Sequence, residues 1–154
     1  MSILDQLLMM SEAMSLVGAN GTFKCDRSIK LQTPQAIPPF SQLGGPHDLG
    51  MGRPIDVVAK IKDLVDSAGG TSTVLARLIM ADEETLTTNK VILYSTPAIA
   101  EATLVAGYEF RIGTIPPGLT KYFFGVELVT AGEALTAGSV NIFIPYGRDS
   151  IAFV

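Results

Sequence analysis

Residues 104–145 read LVAGYEFRIGTIPPGLTKYFFGVELVTAGEALTAGSVNIFIP, and this stretch decides the fold. Tyr108, Phe110 and Ile112 alternate with Glu109 and Arg111, the period of a half-buried strand. Tyr122, Phe124, Val126 and Leu128 repeat the pattern, and Val140, Ile142 and Ile144 carry it a third time. Pro116-Pro117-Gly118 reverses the chain, because proline fixes φ and glycine supplies a permissive corner. Ala131-Gly132-Glu133-Ala134 and Ala137-Gly138 mark the next connection. The pattern is that of antiparallel sheet and contains no chemical motif.

The totals agree with a folded domain that carries no obvious chemistry. A chain of 154 residues reads as one domain and buries roughly 68–70% of its unfolded surface, so it needs neither disulfide nor metal for stability. Apolar residues make up 47% and charged residues only 17%, which points to apolar surface covered by a partner. A net charge of −4 and the lack of any basic run argue against nucleic acid, whose phosphates need clustered Lys and Arg. Cys25 stands alone, as expected of a chain that folds in a reducing compartment. Asp5 and Glu12 near the start, with no basic segment before the apolar residues, make a poor secretory signal. No run approaches the ~20 apolar residues of a membrane helix. The expectation is a protein made in the cytoplasm.

Outward from the deciding stretch, residues 2–14 read as a short N-terminal helix or arm. Ser2 caps it, and Ile3, Leu4, Leu7, Leu8 and Met14 lie near one face. Two roles stay open for this arm over residues 1–20: packing on its own domain, or docking on a neighbouring subunit. Residues 21–154 form the second unit, a β-sandwich domain. Thr22 to Leu31 reads as its first strand. A Pro/Gly-rich loop over residues 33–54 follows, too dense in turn residues for regular structure, and its Phe40 and Leu43 need burial somewhere. Residues 55–67 fit both a strand, with Ile55, Val57, Ala59 and Ile61 alternating, and a helix, with Ile55, Val58, Ile61, Leu64 and Val65 on one face. Local pattern leans to helix, and the flanking strands decide for strand. Thr71 to Met80 and Val91 to Tyr94 are further strands, and Ala98 to Val105 is a short helix or an irregular crossover. Seven or eight strands at regular spacing predict an all-β, jelly-roll-like antiparallel β-sandwich.

The side chains able to do chemistry are few. His47 is the single histidine, which excludes a multi-histidine metal site, and no Gly-x-Ser-x-Gly elbow accompanies it. Asp82-Glu83-Glu84 offers oxygens to a hard cation, but the spacing fits no calcium loop and a solvated turn is the plainer reading. Glu101, Glu109, Glu127 and Glu133 read as outward strand positions, with no two singled out as a glycosidase pair. Gly50-x-Gly52 lacks the third glycine of a dinucleotide fingerprint. Asn20-Gly21-Thr22 is a glycosylation sequon in form only. The chain has no Trp, four Tyr and seven Phe, so an aromatic sugar platform would have to draw on residues that read as core. No catalytic, cofactor-binding or metal residue is expected.

Five short segments carry a resemblance. Met1–Leu8 (MSILDQLL), His47–Val58 (HDLGMGRPIDVV), Leu104–Ile112 (LVAGYEFRI), Pro116–Tyr122 (PPGLTKY) and Leu135–Val140 (LTAGSV), in that order and spacing, resemble the tailed-phage capsid cement, or decoration, proteins. Between Phe23 and Pro46 the chain departs from that pattern with a Pro-rich insertion. The resemblance implies a jelly-roll or sandwich protein, a strand over 55–67, and a homotrimer. It implies a structural protein of the virion that binds the exterior of the mature head between major capsid protein subunits and stabilises the shell. Ile3, Leu4, Leu7, Leu8, Phe40 and Leu43 are the expected interface residues. Neither a cofactor nor a small-molecule substrate is expected. The competing reading is a trimeric carbohydrate- or surface-binding β-sandwich module of a phage fibre or adhesin.

Overall fold

A computed structural model describes residues 9–30, 55–116 and 120–145. Two antiparallel sheets face each other. One holds, in spatial order, β1 (Met9–Ser15), β10 (Leu135–Phe143), β4 (Ile55–Ser67) and β8 (Glu109–Ile115). The other holds β2 (Thr22–Lys24), β9 (Phe123–Ala131), β5 (Thr73–Ala81) and β6 (Val91–Ser95). Two short strands complete it: β3 (Ile29–Lys30) pairs with β9 and β7 (Ile99–Ala100) with β5. The all-β antiparallel sandwich expected from the strand spacing is what forms.

The three runs of the deciding stretch are strands β8, β9 and β10, but they are not one meander. β8 and β10 flank β4 in the first sheet, while β9 lies in the second. The chain therefore crosses between sheets at each connection, as jelly rolls do. The alternation survives this, because each strand turns one face to the same interior. Ile112, Phe124, Val126, Leu128, Val140 and Ile142 are all buried. They meet Val57, Ala59, Ile61, Val74, Ala76 and Leu78 in one core. The second crossing is tight. Gly132 has φ +97°, and a Cβ there would stand 2.6 Å from the Thr71 carbonyl oxygen, so glycine is required.

The N-terminal segment corrects the helical expectation. Residues 9–15 are a strand, with Met9 opposite Phe143, Ser11 opposite Ile142 and Met14 opposite Val140. Met10 and Met14, four apart, are both buried, which is helical spacing. The strand meets it with two register shifts and Ala13 at φ +52°, so each methionine turns inward. The pull is the free edge of β10, whose ladder bonds and apolar face outweigh a local preference that is marginal in so short a segment. Residues 2–8 lie outside the described residues.

The ambiguous segment resolves as the 13-residue strand β4, between β10 and β8. Val57, Ala59 and Ile61 pack in the core and Val58 between them is also buried, whereas Leu64, placed on the apolar face by the helical reading, is half exposed. The expected first strand from Thr22 to Leu31 is divided into β2 and β3, both laid on β9. Residues 98–105, read as a short helix or an irregular crossover, form a two-residue strand, Ile99–Ala100, followed by one 3-10 turn over Glu101–Thr103.

Candidate interaction surface

Glu101, Glu109, Glu127 and Glu133 read from the sequence as outward positions, and two of them, Glu101 and Glu127, are buried. Glu127 is fully buried on the outer face of the second sheet. Lys90 donates to it at 2.9 and 3.2 Å, and Arg77, its direct cross-strand neighbour, at 3.3 Å. It is covered because residues 82–90 fold back over the sheet. Leu86, buried at φ +56°, is the apolar anchor of that strap and rests on Gly125. A Cβ at Gly125 would overlap the Leu86 side chain and stand 3.1 Å from the Cys25 sulfur. Glu127 thus ties the strap down by charge while Leu86 ties it by packing. A buried carboxylate needs such partners, and its position in strand alternation carries no sign of a loop returning from outside.

Glu101 is also buried, accepting hydrogen bonds from the Ser67 hydroxyl at 2.6 Å and the Ser72 N–H at 3.2 Å. It braces the turn between β4 and β5 from the neighbouring 3-10 turn. Glu133 accepts from the Gly69 N–H at 2.5 Å at the same end of the sandwich, and Glu109 pairs with Lys60 at 2.8 Å. Each carboxylate is engaged in holding the fold, and each has its own partners. Asp82, the first residue of the acidic turn, accepts from Asn89 at 2.7 Å and Lys121 at 3.1 Å. Those bonds hold its carboxyl below the usual carboxylate range. Among the described residues no cluster of three or more His, Cys, Asp or Glu is placed to hold a metal ion. No described helix is long and apolar enough to cross a membrane.

Cys25 packs under the strap. Its sulfur accepts from the Val126 N–H at 3.3 Å and donates to the Arg27 carbonyl at 3.3 Å. Burial pushes the thiol up to about 11, so it is a packing group at neutral pH.

Contact chemistry lies instead along one side of the sandwich. There the edge strands of the two sheets, β6 and β8, run beside each other. Val91, Ile92 and Tyr94 of β6 are 40–50% exposed, and Val105, just before β8, is 48% exposed. The Tyr94 ring sits against Gly113 of β8, where a Cβ would approach it to 2.9 Å. Tyr108 and Phe110, partly buried against the core, hold their rings tilted by 31° with centroids 6.1 Å apart. Arg111, 3.6 Å from the Asp56 carboxylate of β4, keeps 63% of its side chain exposed. An edge unpaired among the described residues, next to half-exposed aliphatic and aromatic groups, offers a recurrent mode of protein attachment.

A family model described as Bbp16 matches residues 39–144. The chain belongs to the Bbp16 family. The match takes in β4 to β10, hence both edge strands, the strap and the core of the sandwich. No curated protein matches the chain. The expected interface residues Ile3, Leu4, Leu7, Leu8, Phe40 and Leu43 lie outside the described residues, as do His47 and Gly50-x-Gly52. The edge residues were missed because alternation marks which face of a strand is apolar and says nothing of which strand ends a sheet.

Proposed function

We propose that this Bbp16-family protein is a structural cement protein of a phage head. It is made in the host cytoplasm and binds the exterior of the mature shell against the major capsid protein. It works by contact and not by a reaction, with no cofactor, nucleic acid, membrane or small-molecule substrate. The observation that carries the reading is the division of labour among its side chains. The ion pairs Lys60–Glu109, Arg111–Asp56 and Lys121–Asp82, with Arg77 and Lys90 on Glu127, brace the fold, while apolar and aromatic groups lie half exposed at a sheet edge unpaired among the described residues. The family name, which points to a phage protein, and the cement-protein resemblance of the sequence support it. Binding only the mature shell stabilises that shell by mass action. Linking copies, as in the homotrimer the resemblance implies, multiplies weak contacts.

The test is co-sedimentation of purified protein with expanded and unexpanded empty heads, followed by heat rupture of decorated and bare shells. Binding to expanded heads with a raised rupture temperature is expected. Failure to bind, or binding to a glycan panel instead, removes the reading. Deleting residues 2–8, which leaves β1 intact, then measures what Ile3, Leu4, Leu7 and Leu8 add. Phe40→Ser and Leu43→Ser do the same for the loop.

A further inference from the structure

Strand β8 is an edge whose charge pattern matches itself. Among the described residues nothing pairs with it beyond β4. The Ile61 N–H donates to the Tyr108 carbonyl at 2.9 Å, and Lys60–Glu109, Ala59–Phe110 and Val58–Arg111 continue the same register. Bonded and non-bonded pairs alternate in an antiparallel ladder. Ala59–Phe110 is therefore the next bonded pair, and the peptide groups of Glu109 and Arg111 point away from the sheet. The register shift of β8 lies past Arg111, between the partners Val57 and Val58, so residues 109–111 stay regular.

Natural edge strands that avoid partners carry proline, bulges or charged side chains, lysine above all. The 109–111 segment has neither proline nor bulge, and its two charges are opposite, flanking Phe110. We infer that β8 pairs antiparallel with β8 of a second copy, about a two-fold axis through Phe110. In that register Glu109 of each copy faces Arg111 of the other, and they exchange the outward backbone bonds. Phe110 meets its symmetry mate in a non-bonded pair, where side chains approach closely. Because Lys60 already lies beside Glu109, the row Lys60, Glu109 and the second copy's Arg111 alternates in sign across the joint. The other edges fit less well: β6 has a register shift within its five residues, β1 has two, and β2 and β3 hold three and two residues. Tyr94 and Val105 border β8, and the joint covers part of their exposed surface. The inference is independent of the cement reading and is tested without shells. A two-fold joint gives even numbers of copies: two, or six where a three-fold contact also forms.

Sedimentation equilibrium of the whole chain over a concentration series is expected to give twice the chain mass, or six times. A mass of one or three chains overturns the proposal. Arg111→Glu sets carboxylates opposite each other at both cross-strand sites and is expected to weaken association about tenfold or more. Glu109→Arg does the same with cations. Mixed in equal amounts, the two variants are complementary at both sites and recover the even mass. Failure of the mixture to associate overturns the register. If Glu109→Arg does not fold, because it adds a cation beside Lys60, then Phe110→Cys reads the same axis. It cross-links on oxidation in pairs, and the absence of a cross-link overturns the proposal. A chain that stays single in solution, yet loses shell binding on Arg111→Glu, uses this edge for a foreign strand, and the proposal falls.

Discussion

Replacing Glu127 by glutamine keeps the shape of the side chain and removes its charge. Two cations then face an amide in a site with no exposed surface at the acceptor. Breaking a buried ion pair by removing one partner costs about 3–5 kcal/mol. Here Arg77 and Lys90 keep 30% and 32% of their side chains in solvent, so both can recover hydration. That places Glu127→Gln at about 2–3 kcal/mol, a fall in Tm of about 4–12 °C for a chain of this length. Urea unfolding with an unchanged m-value measures it directly. The two cations are expected to couple. Arg77→Ala or Lys90→Ala alone leaves the carboxylate one partner and costs about 1 kcal/mol. Removing both leaves a buried unpaired charge, and the double variant is expected to lose more than the two singles together. A Glu127→Gln protein within about 0.5 kcal/mol of the parent, or strictly additive cation effects, would refute the reasoning that charge holds the strap over the sheet.

Packing at the same strap gives a second expectation. Gly125→Ala overlaps Leu86 and is expected to cost about 1–3 kcal/mol; adding Leu86→Ala costs less in that background than in the parent, read by a double-variant cycle of urea midpoints. Cys25 ties stability to alkaline pH. Its folded value is raised, so its contribution is complete below the unfolded value of about 9 and is lost as pH rises to about 11. The loss totals about 3 kcal/mol, and Cys25→Ala is expected to flatten that limb of the stability profile. Asp82 acts at the acid end. Its folded value is lowered, so its contribution is present above the ordinary value of about 4 and lost as pH falls through the folded one. Asp82→Asn is expected to show a shallower acid limb in thermal melts between pH 5 and pH 2.

The alternating runs at 108–112, 122–128 and 140–144 determined an all-β antiparallel sandwich, because period-two apolarity depends only on each strand having one wet face. Turn residues fixed where the chain reverses for the same local reason. The sequence could not say that β8, β9 and β10 switch sheets, since alternation is blind to which sheet a strand joins. Nor could it turn residues 9–15 into a strand, as Met10 and Met14 keep helical spacing until register shifts against β10 turn both inward. Glu127 read as solvent-facing because its neighbours Val126 and Leu128 are inward. Only the return of residues 82–90 over the outer face, bringing Lys90 and Leu86, made that position interior. The edge at β8, open among the described residues, is likewise a property of the assembled sheet, where β4 has filled one side of the strand and the Glu-Phe-Arg order leaves the other side matched to itself.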